Sequence, residues 1–302
     1  MIQPGFTEMR QRVAIIQEKG MRYVSFEKDG KAWLGVREHG AIRTLGETTL
    51  EALLAEGIDL KTWAAKQDGG RIEAEEGLKF LPPLRRPPKI LCVGLNFADH
   101  TKESNFEQPK YPTLFLRVNT SLVAHDAPMV RPAVTDSEGL DYEGEIAVVI
   151  GKGGRHIATE NALAHVAGYS LFNDGSVREY QFKTPQWTAG KNFDGTGAFG
   201  PDLVTADELP PGAKGLLLET RLNGEVVQSA NTNEMVFDIA SLISIISEAI
   251  TLEAGDVIVA GTPSGIGWAR NPKLLMKAGD VCEVTVEKLG TLRNTIVDEA
   301  GA

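Results

Sequence analysis

Residues 140–152 read LDYEGEIAVVIGK, and this stretch sets the reading of the whole chain. Asp141, Glu143 and Glu145 stand at every second position, and the run 146–150 that follows is wholly apolar. In a strand, residues i and i+2 point to one face, so Glu143 and Glu145 project together. Gly144 between them leaves the opposite face without a side chain. A bare Glu-x-Glu also suits the solvated face of an edge strand. Here the apolar continuation predicts burial, and two close buried carboxylates repel unless a cation or a proton neutralises them.

Outward from this stretch the texture repeats. KILCVG (89–94), TLFLR (113–117), VAGYSLF (166–172), LLLETRL (216–222), VIVAG (257–261), VCEVTVEKL (281–289) and TLRNTIV (291–297) are short strand-like runs. Asn223-Gly224 and Leu289-Gly290 are hairpin turns between them. Helical signals are few: TENALAH (159–165), with Thr159 as N-cap, and DIASLISIISEAI (238–250), with Asp238 as N-cap. Strands that do not alternate with helices predict a mainly β, α+β fold rather than a doubly wound sheet.

Before residue 85 the chain reads differently. A short polar helix is expected within 1–20 and three strands within 21–45, the first two joined at Lys28-Asp29-Gly30. Thr48 and Glu51 form an expected capping box for a helix that Gly57 closes, and a second helix covers 59–67. The pairs Pro82-Pro83 and Pro87-Pro88 stiffen the chain and mark a boundary between a small N-terminal α+β domain, 1–85, and a catalytic domain, 86–302.

Of 302 residues, 31 are Lys or Arg and 41 Asp or Glu, a net charge of −10, which disfavours a nucleic-acid partner. No apolar stretch reaches about 18 residues, so no membrane helix is expected. No apolar signal segment opens the chain, and a cytoplasmic protein with two buried, reduced cysteines, Cys92 and Cys282, is the expectation. Glycine is enriched, 32 residues against a usual ~7%. Gly195-Thr196-Gly197-Ala198-Phe199-Gly200 matches GxGxxG, but Pro201 follows and no βαβ unit surrounds it, so it reads as a glycine-rich loop. P-loop, nucleophile-elbow and zincin motifs are absent from the sequence.

Asp174 closes the apolar run 166–172 and would add a third carboxylate to Glu143 and Glu145. Three hard oxygen ligands suit Mg²⁺, Mn²⁺ or Ca²⁺ rather than zinc. His100 and Glu103 share a face if helical, giving a general base and its orienter on a segment free to act as a lid; the same spacing also suits a surface pair. Arg178 and Gln181 lie four and seven residues beyond Asp174, on one face if helical, and with Lys191 could bind a substrate carboxylate.

These segments, in this order, resemble the fumarylacetoacetate hydrolase family from about residue 88 to 298, through ILCVGLNFADHTKES, PTLFLR, LDYEGEIAVVIGK, AGYSLFNDGSVREYQ, GKNFDGTGAFGP, TRLNGEVVQ, GDVIVAGTPSGIG and GDVCEVTVEKLGTLRN. The resemblance implies a mixed β-sandwich or roll and a homodimer. It implies Glu143, Glu145 and Asp174 as ligands of Mg²⁺ or Mn²⁺, and a His100–Glu103 pair on a mobile lid. It also implies Arg178, Gln181, Lys191 and Thr262 around a 2-oxo acid substrate. Two places depart from the family pattern: GSVRE after Asp174, and Arg117 where many members carry lysine; both bear on which substrate fits.

The expected activity is metal-dependent hydrolysis of a C–C bond in an acylpyruvate, preferably maleylpyruvate or fumarylpyruvate from aromatic-acid breakdown, with His100 activating water. The same site also suits decarboxylation of oxaloacetate-like acids or isomerisation of 2-hydroxymuconate-type dienes. A reading of another class is a non-catalytic protein that binds a metal or an oxo acid.

Overall fold

Two-residue turns whose central residues both take positive φ set up the hairpins. Asp29 and Gly30 (φ 53° and 72°) join β1 (Arg22–Lys28) to β2 (Lys31–Glu38). His39 and Gly40 (51° and 79°) lead into β3 (Ala41–Gly46). This conformation matches the right-handed twist of paired strands and is cheapest for Gly, Asn and Asp. The computed structural model describes residues 20–67, 70–104, 106–135 and 139–300. The polar helix expected within 1–20 therefore lies outside the described residues, apart from Gly20, which is not helical.

The remaining strands are β4 (Ile72–Glu73), β5 (Lys79–Phe80), β6 (Ile90–Gly94), β7 (Thr113–Arg117), β8 (Leu122–Val123), β9 (Met129–Arg131), β10 (Gly144–Ile150), β11 (Val166–Asp174), β12 (Gly197–Thr205), β13 (Leu217–Leu222), β14 (Glu225–Asn231), β15 (Val257–Val259), β16 (Val281–Val286) and β17 (Gly290–Asp298). One sheet runs β4-β3-β2-β1-β12-β11-β10-β15-β6-β7, with β5 on β1 and β8 on β12; the other runs β14-β13-β16-β17-β9. The fold is mostly β with few helices, as expected. The N-terminal strands continue the large sheet through antiparallel pairing of β1 with β12, Tyr23 opposite Leu203.

β10 is buried at every position because both of its faces are covered. Ile146, Val148 and Ile150 enter the core between the two sheets, with Leu218, Val284, Leu292 and the helix Ile239–Ala249. Ala147 and Val149 enter the core on the other face, with Phe172, Phe199, Tyr23 and Leu50. Gly144 lies on the first face, where a Cβ would stand 2.1 Å from Thr220 Oγ1 and 3.2 Å from Val284 Cγ1. Only glycine lets the second sheet pack there.

Three local expectations are corrected. The helix Leu50–Ala55 is capped by Thr49, whose hydroxyl accepts from Ala52 N, not by Thr48. Glu51, the other half of the expected box, instead accepts the backbone N–H groups of Arg85 and Arg86. The helix Thr159–Ala162 is preceded by Ala158 and has no side-chain cap. The stretch read as a glycine-rich loop becomes β12 from Gly197 onward, paired with β11 and fully buried. Its glycine is there for clearance: a Cβ on Gly197 would stand 2.8 Å from the Arg117 guanidinium. Asp238 does cap the helix Ile239–Ala249, accepting from Ser241 N.

Candidate metal centre and active site

The pairing of β10 with β11 places the carboxylates. Gly144 lies opposite Asn173 and Glu145 opposite Phe172, and Asp174 N donates to Glu143 O (2.8 Å). Glu143, Glu145 and Asp174 therefore emerge on one face at the end of two adjacent strands. All three are buried, and one oxygen from each lies within 4.8 Å of the others. Asp174 ends a strand, so the helical face expected to join it to Arg178 and Gln181 does not exist. Those two belong to a separate helical turn, Arg178–Gln181, where Arg178 Nη1 donates to Gln181 Oε1 (2.8 Å).

The charges around the triad are unequally balanced. Lys191 Nζ lies 2.7 Å from both Glu143 Oε2 and Asp174 Oδ2. Arg178 Nη1 lies 2.6 Å from Glu143 Oε1, and Arg117 Nη1 pairs with Asp174 Oδ1. Glu145 has no ion pair among the described residues and accepts only the Gly261 N–H. Burial, reinforced by the negative charges of Asp174 and Glu143, pushes its carboxyl well above the ordinary range. Burial would raise Glu143 too, but the Lys191 and Arg178 cations reverse this and hold it below the ordinary value. Burial disfavours the Lys191 ammonium, yet Asp174 and Glu143 keep its pKa above that of a free lysine.

An all-oxygen triad with one unneutralised member fits a hard divalent cation. Glu143, Glu145 and Asp174 are the residues that would hold it.

A cleft opens beside the triad, walled by His100, Arg178, Gln181, Lys191, Thr262 and Trp268. His100 lies on the short helix Ala98–Glu103. Its Nδ1 is buried, has no hydrogen-bond partner among the described residues and stands 3.6 Å from Glu103 Oε2, beyond hydrogen-bond range. Glu103 is anchored elsewhere: both of its oxygens accept Gly265 N at 3.0 Å. Thr262 Oγ1 donates to Gly144 O (3.0 Å) and accepts from Gln228 (2.9 Å), tying the loop after β15 to the start of β10.

Two residues that carry the site escaped the sequence reading of roles. Asp141 is fully buried and accepts from Arg178 Nε (2.8 Å), Gly267 N (2.8 Å) and Trp268 N (3.1 Å), so it fixes Arg178 against Glu143. Its alternation with Glu143 was the available signal. Arg117 stands behind Asp174 rather than in the cleft wall, bonded also to Thr196 Oγ1 (2.8 Å) and Ser121 Oγ (3.2 Å). Its place as a departure from the family pattern suggested a part in substrate fit; the structure puts it against Asp174 instead. Cys92 and Cys282 are free and buried; Asn173 Nδ2 donates to the Cys282 sulfur.

Residues 89–297 match the family model described as fumarylacetoacetate (FAA) hydrolase C-terminal, and the chain belongs to this family of metal-dependent enzymes. Over 220 residues it is 44% identical to a human protein named oxaloacetate tautomerase FAHD2A, mitochondrial, covering 72% of this chain and 69% of that one. A solved fumarylacetoacetate hydrolase from psychrophilic Exiguobacterium antarcticum is similar with a TM-score of 0.82 at 37% identity, over 92% of this chain and 100% of that one. A maleylpyruvate hydrolase from Sphingobium sp. SYK-6, solved with manganese(II) and pyruvate, gives a TM-score of 0.76 at 26% identity, over 92% and 99%. No helix among the described residues is long and apolar enough to cross a membrane.

Proposed function

We propose that the protein acts on a short 2-oxo dicarboxylic acid of the oxaloacetate type, interconverting its enol and keto forms with the help of Mg²⁺ or Mn²⁺. The observation that carries this reading is the unpaired Glu145 beside Glu143 and Asp174 at the floor of a small, charged cleft. The 44% identity to a human oxaloacetate tautomerase supports the choice of substrate.

A bound divalent cation would draw electron density from the 2-oxo group and acidify the neighbouring C–H. In enol-to-keto conversion the enol O–H loses a proton and C3 gains one. His100 is the cleft residue suited to carry that proton. The Glu103 carboxylate, held by Gly265, stands 3.6 Å from His100 Nδ1. Asp141 holds Arg178 in place, and Arg178 and Lys191, each paired with the carboxylates behind them, stand in the cleft wall as the cations that a substrate carboxylate would meet.

Ultraviolet absorbance of enol-oxaloacetate follows the reaction directly. The Mg²⁺- or Mn²⁺-loaded protein should accelerate its decay above buffer, EDTA should abolish the effect, and His100→Ala should lower kcat by about 10²–10⁴. No acceleration with either metal would overturn the reading. Hydrolysis of acylpyruvates is a second reading, favoured by the likeness to the solved maleylpyruvate hydrolase and by the same His100–Glu103 pair. Release of pyruvate plus a second acid from a 2,4-dioxo acid would select it. In either case a homodimer is the assembly we propose.

A further inference from the structure

The cleft does not end at the triad. Its outer rim is formed by aromatic rings, and behind them lies a second space that the proposed chemistry leaves unused. The cleft beside the triad is the smaller of the two spaces. The neighbouring groove, bounded by Thr113, Leu114, Pro185 and Gln186, has about 740 Å³. Leu95, Phe106, Phe115, Phe182 and Trp187 wall both spaces.

Trp187 is the ring that contacts both Phe115 and Phe106. It belongs to the loop between the helical turn Arg178–Gln181 and the turn Thr188–Lys191, so groups of the charged site flank it on both sides. Its indole rests on the backbone of Gly94 at the end of β6. A Cβ at Gly94 would lie 2.3 Å from Trp187 Cζ3, so only glycine admits the ring there. Phe115 meets the indole edge-on at 5.7 Å between centroids, and Phe106 stands at 6.2 Å. Such aromatic contacts fix a ring beyond what area burial alone supplies.

We infer that Trp187 sets the chain-length limit of the substrate. The indole is the partition between the charged cleft and the wider groove beside it. A four-carbon 2-oxo diacid is handled on the triad side of it; an acid with a longer apolar tail must pass the indole to reach the groove. This inference rests on the 2-oxo acid reading of the site and adds the residue that decides which member of that class fits. Removing the ring joins the two spaces and gives an apolar tail the side chains of Leu114, Phe115 and Phe182 to lie against, so that its methylenes contribute to affinity.

Calorimetric titration of the Mn²⁺-loaded protein with oxamate and with N-hexyloxamate tests this without relying on turnover. Wild type should bind the hexyl compound at least tenfold more weakly than oxamate. Trp187→Ala should raise the relative affinity for the hexyl compound at least tenfold, and Trp187→Phe by a smaller factor. Thermal melts report whether each variant is folded, and the Phe variant carries the test if the Ala variant is not. A wild type that binds both compounds equally, or variants whose ratio stays within threefold of wild type, would overturn the role of Trp187. A wild type that binds neither compound would overturn the 2-oxo acid reading of the site and this inference with it.

Discussion

Glu145 in β10 and Glu283 in β16 sit on strands of similar length, each among valines, yet their surroundings are opposite. β10 is buried at every residue, and Glu145 is 2% exposed. β16 alternates between half-buried and buried positions, and the Glu283 side chain is 30% exposed, with Arg293 3.8 Å away. In the smaller sheet one face meets the core and the other meets water, so charge goes outward. In the large sheet β10 has no outward face. Its charge survives only because neighbouring elements bring Lys191, Arg178 and Arg117 to the triad, and because the one carboxylate they do not neutralise is offered to a cation. Buried charge at the end of β10 therefore marks the site, while exposed charge on the second sheet marks only the solvent side.

The comparison is broken most directly at Asp174. Asp174→Asn removes the carboxylate of Arg117 and one of the two that face Lys191, and stranding the buried Arg117 cation should cost about 3–5 kcal/mol, read as a fall in the urea midpoint, together with loss of Mn²⁺ binding. A loss under about 1 kcal/mol would mean that the charges are better hydrated than their burial implies. Gly144→Ala tests the close approach of the two sheets beneath the triad. The new methyl meets Thr220 Oγ1, and overpacking should cost about 1–3 kcal/mol, partly recovered when Thr220→Ala is added. The smallest effect belongs to the second sheet: Glu283→Gln should change stability by no more than about 0.5 kcal/mol and leave metal binding as it was.

Much of the site could be read without coordinates because its key spacing is local. Strand parity alone puts Glu143 and Glu145 on one side, and a glycine between them allows a close neighbour behind. The hairpin turns at Asp29-Gly30 and Asn223-Gly224 were equally readable, since positive φ at both positions favours those residues. The misreadings have distance in common. Residues 195–200 looked like a loop because glycine and proline weaken strand propensity; Gly197 is required by Arg117, eighty residues earlier. Thr48 was preferred to its neighbour Thr49 because the choice of cap depends on where the helix axis points, which packing decides. The helical face expected to join Asp174 to Arg178 failed because β11 ends at Asp174, which pairs with Arg117 and Lys191, while Asp141 in another segment reaches over to orient Arg178.

What the linear order of residues determined, then, is the class of fold and the identity of the three carboxylates, since alternation, turn chemistry and charge count operate within a few neighbours. The tertiary structure alone decided which cation faces which carboxylate, that Glu145 has no ion pair among the described residues, that Glu103 is tethered to Gly265 while standing near His100, and that an indole seated on Gly94 borders both the cleft and the groove. Each of these joins side chains far apart in the chain, and the energy of a buried charge or a packed ring depends on every atom around it rather than on the residues beside it in sequence.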